Sequence, residues 1–291
     1  MTGEHLWDVS IVEHTPDLAG RVAPLVEQAT ATDAVGPLNE QAHRILAGQL
    51  PGTHVLAEQD GQVLGYAQVD HADASVQLFV APAARRRGIG AALAEVARHQ
   101  EPGLQWWSFG TTDGARALAA RLGLTPVRGL LKMSTTVAEH TFDHPGPAPE
   151  GITVTTFTAA DIDDLVEVNA LAFAEHPEQG RMSRRDVEDK VAEEWFEGPG
   201  LFLARNQDGA LLGYHWTKTE GDVGEVYVIG VHPFEHGRGL GRYLLELGLH
   251  HLATTRGVRV IDLYVEAANQ RVVTMYENAG FREVQRDTRW A

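Results

Sequence analysis

Two short glycine-bearing strings have the composition of a phosphate cradle: RRRGIG at 85–90 and HGRGLG at 236–241. Each lies between a β-rich run and an amphipathic helical pattern. Glycine lets successive backbone N–H groups turn into one hollow, and the N-terminus of the following helix adds partial positive charge. A pyrophosphate suits such a hollow. The arginines at 85–87, with Arg238 and Arg242, offer charge-assisted contacts. A lone G-x-G is as often an ordinary tight turn. The same strand–loop–helix setting met twice in one chain turns the reading toward a ligand.

Other chemistries fit poorly. A dinucleotide fingerprint needs a third glycine and a strand that runs straight into the loop, and a Walker loop needs Gly-Lys-Ser/Thr. Neither occurs. The chain has no cysteine, which excludes a thiolate nucleophile and a disulfide scaffold. Its 14 histidines form no H-E-x-x-H, and His250 and His251 are neighbours that point to different sides of a helix. No metal is expected.

The elements that must position the loops also repeat. Aligning Pro82 with Pro233 aligns Gly88 with Gly239 and Gly90 with Gly241, all 151 apart (233 − 82, 239 − 88, 241 − 90). Ile89, Leu93 and Val96 then match Leu240, Leu244 and Leu247 on one helix face. VLAEQDGQVLGYAQV resembles LFLARNQDGALLGYHWT, two β-rich runs around an Asp-Gly turn. RLGLTPV resembles ENAGFREV, a helix closed by glycine with a strand after it. Each half is expected to run helix, hairpin, strand, glycine loop, helix, strand, helix, strand. The segment EHTFDHPGPAPEG (139–151), with three prolines and two glycines, reads as a linker. The expected domains are therefore 1–140 and 151–291, joined through 141–150.

At 291 residues and 43% hydrophobic composition, the chain can build two cores. A formal charge of −16, from 40 acidic and 24 basic residues, repels nucleic acid and anionic lipid and tolerates a cationic substrate. Acidity that serves solubility alone is the plainer alternative. No apolar run is long enough to span a membrane, and the opening MTGEHLWDVS lacks the basic and apolar regions of a signal peptide, so a cytoplasmic monomer is expected.

Arg85-x-x-Gly88-x-Gly90 resembles the R/Q-x-x-G-x-G/A loop of the GNAT acetyltransferase superfamily. The second copy departs from it with His236 in the first place, a small departure because that loop works through backbone amides. The resemblance implies an α/β (α+β) chain of two tandem domains. Each would be a mixed central sheet flanked by helices, with two strands splayed apart to take the pantetheine arm of acetyl-CoA.

Acetylating an amine needs a proton removed from the ammonium, donors for an oxyanion, and benefits from a proton for the leaving thiolate. By the resemblance, Glu225 in GEVYVIGV is the base and Tyr276 in VVTMYENAGF the acid. The first copy lacks both. At the 151 offset Glu225 aligns with Ala74; aligning Gly280 with Gly123, a 157 offset, puts Ala119 opposite Tyr276 and Thr112 opposite Asn269. The first domain is therefore expected to be non-catalytic.

Longer strings, AFAEHPEQG, GYHWTK, GEVYVIGVHP and LYVEAAN in the second half and VGPLNEQ in the first, are similar to an actinobacterial tandem branch of the superfamily. That branch acetylates the cysteinyl amine of a cysteine–glucosamine–inositol conjugate. The resemblance implies substrate contacts at Glu40, Glu178, Lys218, Glu225 and Tyr264. It implies acetyl-CoA contacts at Ile229, Gly230, Val231, His236, Gly237, Arg238, Gly239, Leu240, Gly241 and Arg242, and at Asn269, Gln270, Arg271, Val272, Val273 and Thr274. In the first domain it implies CoA contacts at Leu78, Phe79, Val80, Arg86, Arg87, Gly88, Ile89, Gly90 and Ala91. Two alternatives stay open at this level: a GNAT enzyme for another small amine or a protein N-terminus, and a non-catalytic CoA-sensing module.

Overall fold

The structure, a computed structural model, describes residues 7–174 and 179–291. In chain order the first half gives β1 (Asp8–Val12), α1 (Leu18–Asp33), α2 (Glu40–Leu46), β2 (Thr53–Gln59), β3 (Gln62–Asp70), β4 (Ser75–Val80), α3 (Ile89–Ala97), β5 (Gln105–Ser108), α4 (Asp113–Leu122) and β6 (Pro126–Thr136). The second gives β7 (Thr153–Thr156), α5 (Ile162–Ala172), α6 (Arg184–Val191), β8 (Leu201–Arg205), β9 (Leu211–Glu220), β10 (Val223–Val231), α7 (Leu240–His250), β11 (Val260–Glu266), α8 (Gln270–Asn278) and β12 (Arg282–Trp290). Among the described residues no helix is long and apolar enough to cross a membrane.

The chain divides into two compact units. One takes the chain up to Leu131 together with Glu266–Ala268 and Gln285–Ala291; the other takes Lys132–Val265 and Asn269–Val284. This differs from a split at 140–150 in two respects. The break falls inside β6. The Pro/Gly segment belongs to the second unit, where His250 Nδ1 meets Phe142 O at 2.9 Å and Tyr243 donates to Gly146 O at 3.4 Å. The last strand of the second half also completes the first unit: Thr288, Arg289 and Trp290 pair antiparallel with Ser108, Trp107 and Trp106 of β5. Repeat offsets locate a strand along the chain but do not say which edge it hydrogen-bonds, so this exchange is invisible to them.

Within each unit an antiparallel hairpin leads into a parallel pair, giving a mixed sheet. In the first unit β2–β3–β4 is antiparallel and β4–β5 parallel; in the second β8–β9–β10 is antiparallel and β10–β11 parallel. The helix after each glycine loop buries one apolar face on its sheet, with Ile89, Leu93, Ala94 and Ala97 from α3 and Leu240, Leu244, Leu245, Leu247 and Leu249 from α7. The cores are Leu/Val/Tyr-rich and separate, around Tyr66 in one unit and around Tyr214 and Trp216 in the other.

Helix α7 lies so close to β9 that Gly248 has no room for a side chain. A Cβ there would stand 2.1 Å from the His215 ring. That ring cannot swing aside, because it is fully buried and its Nδ1 is held by Leu244 O at 2.7 Å. Overpacking of this kind typically costs about 1–3 kcal/mol. Gly248→Ala is therefore expected to lower the thermal unfolding midpoint, and an unchanged melt would show that α7 can lift off the sheet freely.

Candidate active site

Each unit has a gap between its own pair of parallel strands. In the second unit β10 pairs with β11 only over Val223–Val226, opposite Val260–Leu263, yet β10 runs on to Val231. Val228–Val231 keeps its antiparallel partner β9 but, among the described residues, has no strand paired with it on the β11 side. The first unit repeats this: β4 pairs β5 through Gln77, and Leu78, Phe79 and Val80 continue unpaired on that side. Ile229, Gly230 and Val231 thus line an opening along one strand edge.

The glycine loops are near duplicates. Gly88 caps α3 at φ 87° and ψ −6°, and Gly239 caps α7 at φ 87° and ψ −8°. This left-handed conformation favours glycine. It aims the first amides of the helix, Leu240 and Gly241 in one copy and Ile89 and Gly90 in the other, out of the helix end; Ala91 N already donates to Gly88 O at 3.1 Å. A Cβ at Gly237 or Gly239 would meet nothing within 4 Å, so the space beside the backbone is open. That open cradle, beside a splayed strand edge, fits a pyrophosphate with an extended arm.

The first residue of each loop has a different task from the one expected. Arg85 does not face a ligand: it donates to Val80 O at 3.1 Å and to both oxygens of Asp33 at 2.8 and 2.6 Å. His236 reaches the matching carbonyl, Val231 O, at 3.2 Å. The histidine therefore substitutes for the arginine in tying the loop to its strand, which explains the departure in the second copy. Arg86 takes φ 64°, and Arg87 donates to Gln59 at 3.0 Å. Arg238 contacts both oxygens of Glu235 at 3.0 Å, and Arg242 contacts Glu246 at 2.7 Å. Both arginines are solvent-exposed, and the Arg242–Glu246 pair is exposed on both sides and weak, so a phosphate can displace it. Asn269 is the N-cap of α8, accepting from Val272 N at 3.3 Å, as Thr112 caps α4. Gln270, Arg271, Val272, Val273 and Thr274 form the first turns of α8 behind it.

Glu225 sits on β10 opposite Lys218 of β9 and Asp262 of β11. Tyr264, two residues beyond Asp262, shares their face and is 47% exposed. Burial raises the Glu225 carboxyl pKa; Lys218 and Lys132 pull it down and Asp262 and Glu220 push it up. Lys218 is lowered by burial but lifted more by its 3.0 Å contact with Glu220 and by the charge of Glu225. Its ammonium lies 5.1 Å from the centre of the Trp195 ring. Tyr276 is 4% exposed on α8, edge-on to Phe281, and its hydroxyl makes no hydrogen bond among the described residues. Burial raises its pKa, so the phenol stays protonated.

Two expectations need correction or restriction. A bulge between Val226 and Val228 inserts one residue, Tyr227, into β10, and the β3–β4 pair has none. The counterpart of Glu225 is therefore Ser75, not Ala74: Ser75 lies opposite Gln105 as Glu225 lies opposite Asp262, and those partners are 157 apart like Ala119 and Tyr276 (262 − 105, 276 − 119). Glu178 falls outside the described residues. Glu40 opens α2 of the first unit, exposed, directly after the N-cap Asn39. Residues that sequence reasoning missed are Asp262, Lys132, Tyr227 and Trp195. Only Asp262 left a signal, by alternating with Tyr264 in DLYVE.

The Acetyltransferase (GNAT) family model matches residues 165–281 and an Acetyltransferase (GNAT) domain model matches 51–123. The chain is 46% identical over 286 residues to a protein of Propionibacterium freudenreichii subsp. shermanii named mycothiol acetyltransferase, covering 97% of this chain and 91% of that one. A protein of the same name from Clavibacter michiganensis subsp. michiganensis is 45% identical over 289 residues, covering 97% and 94%. Among solved structures, a GCN5-related N-acetyltransferase from Sphaerobacter thermophilus superposes with a TM-score of 0.74 at 24% identity, covering 98% and 95% of the two chains. A tandem GNAT protein from the clavulanic acid biosynthesis pathway superposes at 0.71 and 21% identity, covering 98% and 97%, which shows the shared fold. With a glycine cradle and a splayed strand pair in each unit, and matching domains in each half, the chain belongs to the GNAT family of acetyl-CoA-dependent acetyltransferases.

Proposed function

We propose that the C-terminal copy acetylates the cysteinyl amine of a cysteine–glucosamine–inositol conjugate, the activity implied by the name its relatives carry. The observation that carries this is a half-buried Glu225 carboxylate, beside Lys218 and Tyr264, where β10 and β11 part. Acetyl-CoA supplies the acetyl group. Glu225 takes a proton from the substrate ammonium, and the freed nitrogen forms the new C–N bond as the C–S bond breaks. Backbone N–H groups on the Val228–Val231 edge that face away from β9 donate to the negative charge that develops on the carbonyl oxygen. Tyr276 gives its proton to the departing sulfur, and the second proton that the nitrogen sheds as the amide forms restores the phenol. Lys218 and Tyr264 donate to hydroxyls of the sugar end, and Glu178 belongs to the same substrate set.

The first copy is proposed to be catalytically silent. Ser75 and Ala119 stand where proton-transfer groups are needed. The sheet face that carries Glu225 in the second copy is closed in the first by α2, with Gln68 donating to Ala42 O at 3.1 Å and Asn39 N donating to Gln77 at 3.0 Å. Its loop and Leu78–Val80 edge match those of the second copy and are proposed to contact CoA, and Glu40 is proposed as a substrate contact.

The test is CoA release from acetyl-CoA with the conjugate against a panel of simple amines, an aminoglycoside and an N-terminal peptide. The conjugate is expected to give a kcat/KM at least about 10²-fold above the others, the scale that a few buried polar contacts provide. Comparable turnover of generic amines would defeat the substrate assignment.

A further inference from the structure

Glu225 stands in a row of charges that crosses four strands. Lys218 of β9 and Asp262 of β11 are its partners in register, and Lys132 of β6 meets Asp262 at 2.7 Å. Side chains directly opposed on one face have Cβ atoms about 5 Å apart, close enough to interact strongly. The order is ammonium, carboxylate, carboxylate, ammonium. Each ammonium is nevertheless engaged away from Glu225: Lys218 on Glu220 at 3.0 Å, and Lys132 on Asp262. Glu225 itself makes no ion pair or hydrogen bond among the described residues.

We propose that Asp262 is a positioning residue for proton removal: it holds Lys132 away from Glu225 and so leaves the Glu225 carboxylate an unpaired base. This rests on the reading of Glu225 as the base. An ammonium turned onto Glu225 would favour its ionised form and make it a weaker base. Lys132 has the reach to do so once Asp262 no longer binds it, because its four-carbon stem is flexible. The charged and titratable groups around Glu225 are Lys218 and Glu220 from β9, Asp262 and Tyr264 from β11, and Lys132 from β6. On its own strand stands Tyr227, whose hydroxyl is bonded by Lys190 of α6. Asp262 raises the affinity of Glu225 for a proton and Lys132 lowers it, so the two act on the base with opposite sign.

The opposite signs give the test. The full-length enzyme and its Asp262→Asn, Lys132→Met, Lys132→Arg and doubly substituted Asp262→Asn/Lys132→Met forms are compared by the pH dependence of kcat/KM. The Glu225 carboxyl is also titrated by 13C NMR, assigned by its loss in Glu225→Gln. Asp262→Asn should move the acid limb and the NMR midpoint down by about one pH unit, and Lys132→Met should move both up by a similar amount, the range a neighbouring charge produces. The double variant should return close to the parent, and Lys132→Arg should match it. Thermal melts establish that each variant is folded, and Lys132→Met decides the matter if Asp262→Asn is not. An unmoved midpoint in either single variant, or a double variant that behaves like Asp262→Asn, would overturn the assignment of Asp262. If the acid limb survives in Glu225→Gln, it is the reading of Glu225 as base that fails instead.

Discussion

Glu225→Gln is expected to lower kcat by about 10²- to 10⁴-fold, the usual loss when a general base is removed. The substitution keeps the shape of the side chain and removes only its charge and basicity. Because burial raises its pKa, the parent enzyme should lose kcat/KM on the acid side at a pH above the ordinary glutamate range, and this limb should flatten in the variant. KM for the amine should also rise, since the same carboxylate faces the ammonium. A second consequence separates lost chemistry from lost structure. A carboxyl whose folded pKa lies above its unfolded value contributes most below the unfolded pKa, and that contribution is lost as pH rises through the folded value. At neutral pH the half-buried, unpaired Glu225 therefore costs stability, and Glu225→Gln should melt no lower than the parent, and preferably higher. A variant that is inactive and also melts well below the parent would contradict this account.

Tyr276→Phe should reduce kcat by about 10²-fold or more while leaving KM for acetyl-CoA nearly unchanged, because the lost interaction belongs to the transition state. The hydroxyl has no hydrogen bond to lose among the described residues and the ring sits against Phe281, so the fold should be unaffected. The raised phenol pKa adds a second check. Tyr276 remains protonated through the neutral and mildly alkaline range, so an alkaline limb in the parent profile cannot come from its ionisation and should persist in the variant. Full kcat in Tyr276→Phe, measured where chemistry limits turnover, would falsify its role as the acid.

Much of this was legible in the chain itself, for identifiable reasons. Gly88 and Gly239 announce themselves because a left-handed helix cap with open space beside it favours glycine, and the apolar spacing of α3 and α7 follows from the face each must bury. Tyr276 and Ala119 correspond because the caps before them, Asn269 and Thr112, and the glycines after them keep one spacing. The bulge at Tyr227 was not legible. One extra residue in a strand leaves the hydrophobic pattern almost intact while shifting every register partner by one place, which is why Ala74 stood in for Ser75. The Lys132–Asp262 contact was hidden for a related reason: it joins residues 130 apart in sequence (262 − 132), and only strand register brings them together. Arg85 was misread because a loop arginine looks the same whether it faces a phosphate or a half-buried carboxylate such as Asp33.

The pairing of β12 with β5 has a consequence for how the polypeptide is made. Trp290 bonds Ser108 across 182 positions of sequence, and Arg289 is held by Asp73 across 216. During synthesis the domain made first lacks these partners until the whole second domain has been translated. Domains usually complete themselves in the order in which they leave the ribosome. Here the earlier one must wait with the edge of Trp106–Ser108 uncovered, a surface open to wrong pairing. Such long-range closure slows folding, since the loop must close before the contact can reward it. The timing of translation and the protection of that nascent edge thus become part of what determines the yield of active enzyme.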